Sequence, residues 1–291
     1  MTDTVANLRR KIESADDLRS VVRTMKALAA ASIGQYERSV RALVDYTRAV
    51  DMGLGLCLRA DAPVAPRIAR KTGGREIGAV VFGSDQGLVG QFNDVVATHA
   101  VAALAALPGR TQVWAVGERV YAHLASAGLT IAGRYDVPRS IAATAPLVAQ
   151  ILVDSEAHHE HGELAELYIF HNRPADNAVY APVSQRLLPL DHAWRDELAS
   201  RPWPTHRLAE VLGGPTATLR ALIREHLFIS LFRACAESLA SENASRLAAM
   251  ERAERNIDTL LEALHATSHR LRQDSIDAEL FDVIAGFEAL T

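Results

Sequence analysis

Ser238-Leu239-Ala240-Ser241-Glu242-Asn243-Ala244-Ser245-Arg246-Leu247-Ala248-Ala249-Met250 opens the stretch whose periodicity decides the fold. From Leu239 the positions Asn243, Arg246, Met250, Ala253, Ile257, Leu260, Leu264, Thr267 and Leu271 step by threes and fours, with charged residues between them and no Gly or Pro before Gly286. That pattern is a coiled-coil seam on one long helix. Past Leu271, Ile276, Leu280, Phe281, Ile284, Phe287 and Leu290 keep helical spacing, so an apolar stripe runs on without interruption. A stripe of this length needs a partner.

The first half of the partner lies near residue 1. Leu8, Ile12, Ala15, Val22, Met25, Ala29, Tyr36, Val40, Leu43, Val50 and Leu54 repeat with the same period. The two helices are expected to pair as an antiparallel coiled coil whose seam holds Leu8, Ile12, Val22, Met250, Ile257 and Leu264. At 1.5 Å per residue they would be about 75 and about 110 Å long, and would form a rod. The longer helix then outruns the shorter by roughly 35 Å, and its last turns call for cover from outside the chain.

Between the helices the pattern changes. Pro63, Pro66, Gly73 and Gly74 punctuate a basic linker with Arg67, Arg70 and Lys71. Ile77 to Phe82 reads as a strand, Asn93 to Leu107 as a helix, Gln112 to Val116 as a strand, Glu118 to Ala127 as a helix and Leu129 to Ile131 as a strand. Alternation of this kind predicts a small, mainly parallel, Rossmann-like α/β domain inserted between the two helices. A helix with Pro146 in its first turn reaches about His158. Two further strands, Leu164 to Phe170 and Val179 to Leu188, are joined by a turn through Pro174, Asp176 and Asn177. The expected organisation is a helix over 1–60, a linker over 61–75, the α/β domain over 76–195, a linker over 196–214 and a helix over 215–291.

Composition narrows the class. Of 291 residues 49% are hydrophobic and only 5% aromatic, which suits Ala/Leu-rich helices better than one large compact core. A net charge of -4 is unlike a strongly basic nucleic-acid binder. No run approaches the ~20 apolar residues of a membrane span, and the first residues, with Asp3, Arg9, Arg10 and Lys11, do not read as a signal peptide. Cys57 and Cys235 are too few for a disulfide framework and read as two buried thiols.

Enzyme-like features have simpler readings. Gly83-Ser84-Asp85-Gln86-Gly87-Leu88-Val89-Gly90 follows a strand and precedes a helix, where phosphate loops sit, but no Lys-Ser/Thr follows Gly90 and the glycines do not fit G-x-G-x-x-G. It reads as a tight turn capped by Ser84 or Asp85, without a bound nucleotide. His158, His159 and His161 have ligand chemistry, yet His159 points away from the other two and Gly162 follows at once. A solvated helix end whose dipole suits His is favoured over a metal site. No nucleophile elbow appears, so neither a catalytic constellation nor a cofactor is expected.

Leu8-Arg9-Arg10-Lys11-Ile12, Met25-Lys26 with Ala29-Ala30, Ser84-Asp85-Gln86-Gly87-Leu88, Leu187-Leu188-Pro189-Leu190, Ser238 to Glu242 with Arg246 and Ala249-Met250, and Arg272-Gln273 with Glu279-Leu280 stand in this order at compatible spacing. Together they resemble the gamma subunit of F-type ATP synthases over nearly the whole chain. The resemblance implies a non-catalytic rotary shaft that couples ion flow through a membrane rotor ring to ATP synthesis or hydrolysis. Its partners would be three alpha and three beta subunits around the paired helices, with the epsilon subunit and the c-ring at the base. It further implies a peripheral place at the cytoplasmic face of the bacterial inner membrane.

Residue roles carried over by resemblance lie mostly in the rod. Arg272 and Gln273, which alone would read as a solvated helix face, match a pair that hydrogen-bonds a loop of a catalytic beta subunit. Met25 and Lys26, otherwise a core Met and a solvated Lys, match positions near the bearing of the shaft. Arg9, Arg10 and Lys11 form a basic patch that is either solvated or set against acidic loops of the ring. Phe281, Ile284 and Phe287 would fill a sleeve around the tip. The chain departs from the family's pattern at Val89, Gln91, Phe287 and Arg201-Pro202-Trp203-Pro204. A coiled-coil scaffold, or a Rossmann-type nucleotide-binding enzyme with helical arms, are the alternative classes.

Overall fold

A computed structural model of the chain describes residues 5–59, 76–160, 164–204, 211 and 214–288, the side chains at 158–160, 164, 215 and 286–288 excepted. The elements are α1 (Val5–Arg59), β1 (Glu76–Phe82), α2 (Phe92–Ala105), β2 (Arg110–Val116), α3 (Glu118–Ser126), β3 (Thr130–Tyr135), α4 (Ile141–Glu160), β4 (Leu164–Ala175), β5 (Ala178–Leu188), α5 (His192–Ser200) and α6 (Pro215–Glu288). The chain divides into two compact units, Met1–Ala30 with Arg246–Thr291, and Ala31–Ser245, so α1 and α6 each contribute to both. The fold is α/β with a mainly parallel sheet, and α1 and α6 are long helices that pair in opposite directions.

In the unit Ala31–Ser245 the sheet runs in the order β3-β2-β1-β4-β5. β1 pairs in parallel with β2 and β4, β2 pairs in parallel with β3, and β4 and β5 form an antiparallel hairpin. Ile77 to Phe82 is buried on both faces, which is why it reads as a continuous apolar run and not as an alternation. On one face Ile77, Ala79, Val81, Val113 and Ala115 pack against Val96, Ala100 and Leu104 of α2 and Val120 and Leu124 of α3. On the other, Val80, Phe82, Trp114, Val116, Leu167 and Ile169 meet Val148 and Ile151 of α4, Leu227, Leu231, Ala234 and Leu239 of α6, and Tyr36 of α1. The core is thus three-layered, and α6 supplies part of its third layer.

Several elements differ from the reading of the sequence. β3 extends to Tyr135 and β4 to Ala175, so Pro174 lies within the strand and the hairpin turn is Asp176-Asn177. Pro146 lies inside α4, beyond its first turn, because the helix already starts at Ile141. His192–Ser200 is helical across the start of the expected linker: Asp191 accepts from the Ala193 amide at 3.2 Å, and Leu198 is buried with Val50, Leu54 and Cys57 of α1 and Leu219 and Ile229 of α6. Cys57 and Cys235 are buried free thiols, both raised above the usual thiol range by burial. The linker residues Pro63, Pro66, Arg67, Arg70, Lys71, Gly73 and Gly74, together with His161 and the side chains of His158 and His159, lie outside the described residues.

In the other unit α1 and α6 pack through Ala15, Val22, Met250, Ile257 and Leu261, with Ile12, Met25, Ala249 and Ala253 partly buried beside them. Their direction is antiparallel: Arg19 faces Asp258, while Arg23 and Lys26 face Glu254.

Candidate functional site

The helical unit carries most of the residues singled out from sequence. Leu8, Val22, Met250 and Ile257 are buried, and Ile12 and Leu264 are half-buried. The α6 seam follows Met250, Glu254, Ile257, Leu261, Leu264, Ser268 and Leu271, a regular alternation of four and three. Leu260 and Thr267, expected in the seam, are exposed, and Leu261 is buried in place of Leu260. Periodicity could not choose between adjacent leucines, because the polar members Glu254 and Ser268 hide the true phase.

An electrostatic flank runs beside this seam. Glu254 accepts from Arg23 Nε on Oε1 at 2.8 Å and from Lys26 Nζ on Oε2 at 3.0 Å. Arg19 joins Asp258 at 3.4 Å and Asp16 at 2.5 Å. Hydrogen bonds from Arg23 and Lys26 hold the Glu254 carboxyl below its ordinary value. Lys26 is therefore half-buried and paired, and Met25 is half-buried against the seam cluster. Arg9 and Arg10 are exposed.

The same pairs set the level of the far end. With Arg19 opposite Asp258 and Arg23 opposite Glu254, Val5, the first described residue of α1, stands level with Arg272. Arg272 and Gln273 are exposed. Beyond them Ile276, Leu280, Phe281, Val283 and Ile284 are all exposed, Phe281 at 68%, and the Phe287 side chain lies outside the described residues. A cluster of large apolar side chains open to water is the signature of a surface built for another molecule.

The sheet unit holds the glycine-rich loop after β1. Ser84 N donates to Asn93 Oδ1 at 2.9 Å and Asn93 Nδ2 to Ser84 Oγ at 2.8 Å. Gly83 N donates to Val116 O and Arg119 N to Ser84 O. Asp85, expected to cap the helix that follows the loop, instead accepts from Glu118 N at the start of α3 and from Val137 N after β3, at 3.0 and 2.9 Å. The amides of Gly83 and Ser84, at the start of the loop, are engaged within the chain. Gly117 has φ +112°, and a Cβ there would stand 2.8 Å from Ser84 N, so the loop needs glycine opposite it. Leu88, exposed, adopts φ +62°.

One face of α6 lies over the ends of β1 and β4. Glu237 accepts from Arg173 Nε at 2.7 Å and lies 2.8 Å from His171 Nε2; Ser241 Oγ donates to Asn172 O at 3.1 Å; Ser245 Oγ donates to Val89 O at 2.5 Å. Glu237, Ser241 and Ser245 are spaced by four, a single polar stripe. Burial works against the charged form of Glu237, but the hydrogen bonds from His171 and Arg173 outweigh it and hold the carboxyl below its ordinary value. Nothing in the sequence pattern pairs these residues, since strand and helix partners are more than sixty positions apart.

No helix among the described residues is long and apolar enough to cross a membrane, and no group of three or more His, Cys, Asp and Glu that could hold a metal occurs among them.

Comparison with known proteins gives one consistent answer. A family model described as ATP synthase matches residues 4–290. The ATP synthase gamma chain of Frankia casuarinae is 27% identical over 297 residues, covering 100% of this chain and 99% of its own length. That of Rhizobium johnstonii is 28% identical over 295 residues, covering 98% of each. Among solved structures, a chain of the Euglena gracilis mitochondrial ATP synthase rotor superposes with a TM-score of 0.63 at 20% identity, over 94% of this chain and 98% of that one. A chain of the Tetrahymena thermophila mitochondrial ATP synthase central stalk and c-ring gives 0.55 at 17%, over 80% and 99%.

Proposed function

We infer, because the chain belongs to the ATP synthase family and its relatives are gamma chains, that it serves as the central rotary shaft of an F-type ATP synthase. The observation that carries the reading is the antiparallel pair of α1 and α6, whose α6 continues past the level of Val5 with its apolar residues open to water.

The shaft itself makes no bond with nucleotide. Inside a ring of three alpha and three beta subunits, a rod without threefold symmetry meets the three catalytic sites unequally, and rotation changes which one is closed. A contact shifts such an equilibrium only by the difference in its free energy between states. The coupling is therefore spread over many modest contacts: Arg272 and Gln273 toward a beta-subunit loop, Phe281, Ile284 and Phe287 in the sleeve, Met25 and Lys26 near the bearing, and Arg9 and Arg10 toward acidic loops. An Arg fork suits carboxylates and carbonyls, the groups such loops present. The sheet unit would meet the epsilon subunit and the c-ring, at the cytoplasmic face of a bacterial inner membrane.

Co-expression with the alpha and beta subunits, followed by ATP hydrolysis assays with the full chain and with a chain ending before Asp274, tests this role. A stoichiometric complex whose hydrolysis depends on the chain is expected. A chain that stays apart from the ring and binds nucleotide by itself would sink it.

A further inference from the structure

We propose that Glu254 is a positioning residue of the shaft, fixing the register of α6 against α1 by receiving Arg23 on one carboxylate oxygen and Lys26 on the other. The inference deepens the shaft reading and rests on it for its consequence, though not for its geometry.

The apolar seam, rich in alanine along this stretch, fixes its own register only in part. Around Arg23 and Lys26 the buried α1 positions are Ala15, Val22 and Ala29, with Leu8 further along, and on α6 Ala249 and Ala253 flank Met250, with Ile257 and Leu261 buried beyond. The seam's alanines make shallow knobs and shallow holes, so the larger members, Val22, Met250, Ile257 and Leu261, carry the apolar part of the register and leave the rest to polar contacts. Coiled coils with this weakness take their register from polar contacts. Here Arg23 and Lys26 stand three apart on one face of α1, the spacing at which two side chains reach a common point. Their common point is Glu254, whose side chain is only 17% exposed and whose oxygens are each claimed by a different donor. One oxygen from each direction defines axial position and rotation together, which a single ion pair cannot do. Arg19, braced by Asp16, repeats the contact on Asp258 one turn away.

Register here decides what the tip presents. Arg272, Gln273, Phe281 and Ile284 lie on α6 in the same unit, and their height and facing relative to α1 follow from where α6 is clamped. Glu254 and its partners leave these residues untouched and yet set them.

The test uses the assembled complex with spin labels at Ser20 on α1 and Ser275 on α6, both exposed, the native Cys57 and Cys235 being buried. At 1.5 Å per residue the labels are separated by roughly 27 Å along the helix axes, and a slip of one turn moves them by about 5 Å. The parent chain is expected to give one narrow distance. E254Q is expected to broaden it or shift it by about a turn and to lower ATP hydrolysis several-fold. E254D, which keeps the charge, should restore the single distance and most of the activity. If E254Q gives the parent's distance distribution, the positioning role is overturned. A shifted distance with unchanged hydrolysis overturns the link from register to coupling. Failure of the parent chain to assemble at all counts against the shaft role itself, while label distances in the free chain still judge the clamp.

Discussion

Gly55 on α1 faces the carbonyl of Leu198 on α5 so closely that a Cβ at Gly55 would stand 2.4 Å from that oxygen. The contact is backbone on backbone, so no side chain can swing aside. Gly55→Ala is expected to push α5 off α1 and open the cluster of Leu54, Cys57 and Leu198, at about 1–3 kcal/mol. Gly34, also within α1, has only Arg38 Nη1 at 3.4 Å, and Gly34→Ala should stabilise the helix by about 0.5–1 kcal/mol. Thermal unfolding of the two variants beside the parent should move in opposite directions.

Asp85 serves two amides, Glu118 N and Val137 N, one on each carboxylate oxygen. Asp85→Ala removes a helix cap and strands a second donor, and about 1–2 kcal/mol of stability should go with them. Asp85→Asn keeps one acceptor oxygen and should lose about half as much. Equal losses in urea unfolding would contradict the double role.

Stability should depend on pH through Glu237. Its carboxyl lies below its ordinary value in the fold, against burial, through His171 and Arg173. A depressed carboxyl stabilises the fold fully above its ordinary value of 4.5, and that contribution is lost as pH falls through the depressed one. Glu237→Gln should cost about 2 kcal/mol at neutral pH and flatten the acid limb of the stability profile. A parent and variant that lose stability in parallel as pH falls below 4.5 would refute the assignment.

Arg272→Ala and Gln273→Ala should leave the fold's stability unchanged, since both side chains are exposed, and should lower ATP hydrolysis by the assembled complex. A fall of about tenfold corresponds to roughly 1.4 kcal/mol of lost differential contact. Unaltered hydrolysis in the double variant would place the coupling elsewhere along α6.

Much of the architecture could be read from the chain because its signals are local and periodic. Ile77 to Phe82 announces a strand buried on both faces, and the recurrence of Met250, Ile257, Leu264 and Leu271 announces a helical seam. α5 was hidden because His192–Ser200 is short and mostly polar, with Trp194 and Leu198 its large apolar residues packed on other helices. The clamp on Glu254 was hidden for a different reason: Arg23 and Lys26 lie 231 and 228 positions from it, and charges at regular spacing on a helix look solvated until the partner helix is in place. Asp85 misled in the same way, since its carboxylate skips the adjacent helix for one whose first residue is 33 positions later.

The stripe of Glu237, Ser241 and Ser245 gives the sheet an unusual relation to its longest helix. In doubly wound sheets the crevice beyond the carboxyl ends of the strands, where the winding reverses, is where small ligands dock. Here the reversal lies at β1, between β2 and β4, and the polar groups at that crevice are met by α6. The helix occupies the position of a substrate that never leaves. Because guest and host are one polypeptide, the local concentration of the guest is fixed by the chain and owes nothing to dilution. A domain shaped like a receptor has become a permanent grip on its own drive shaft.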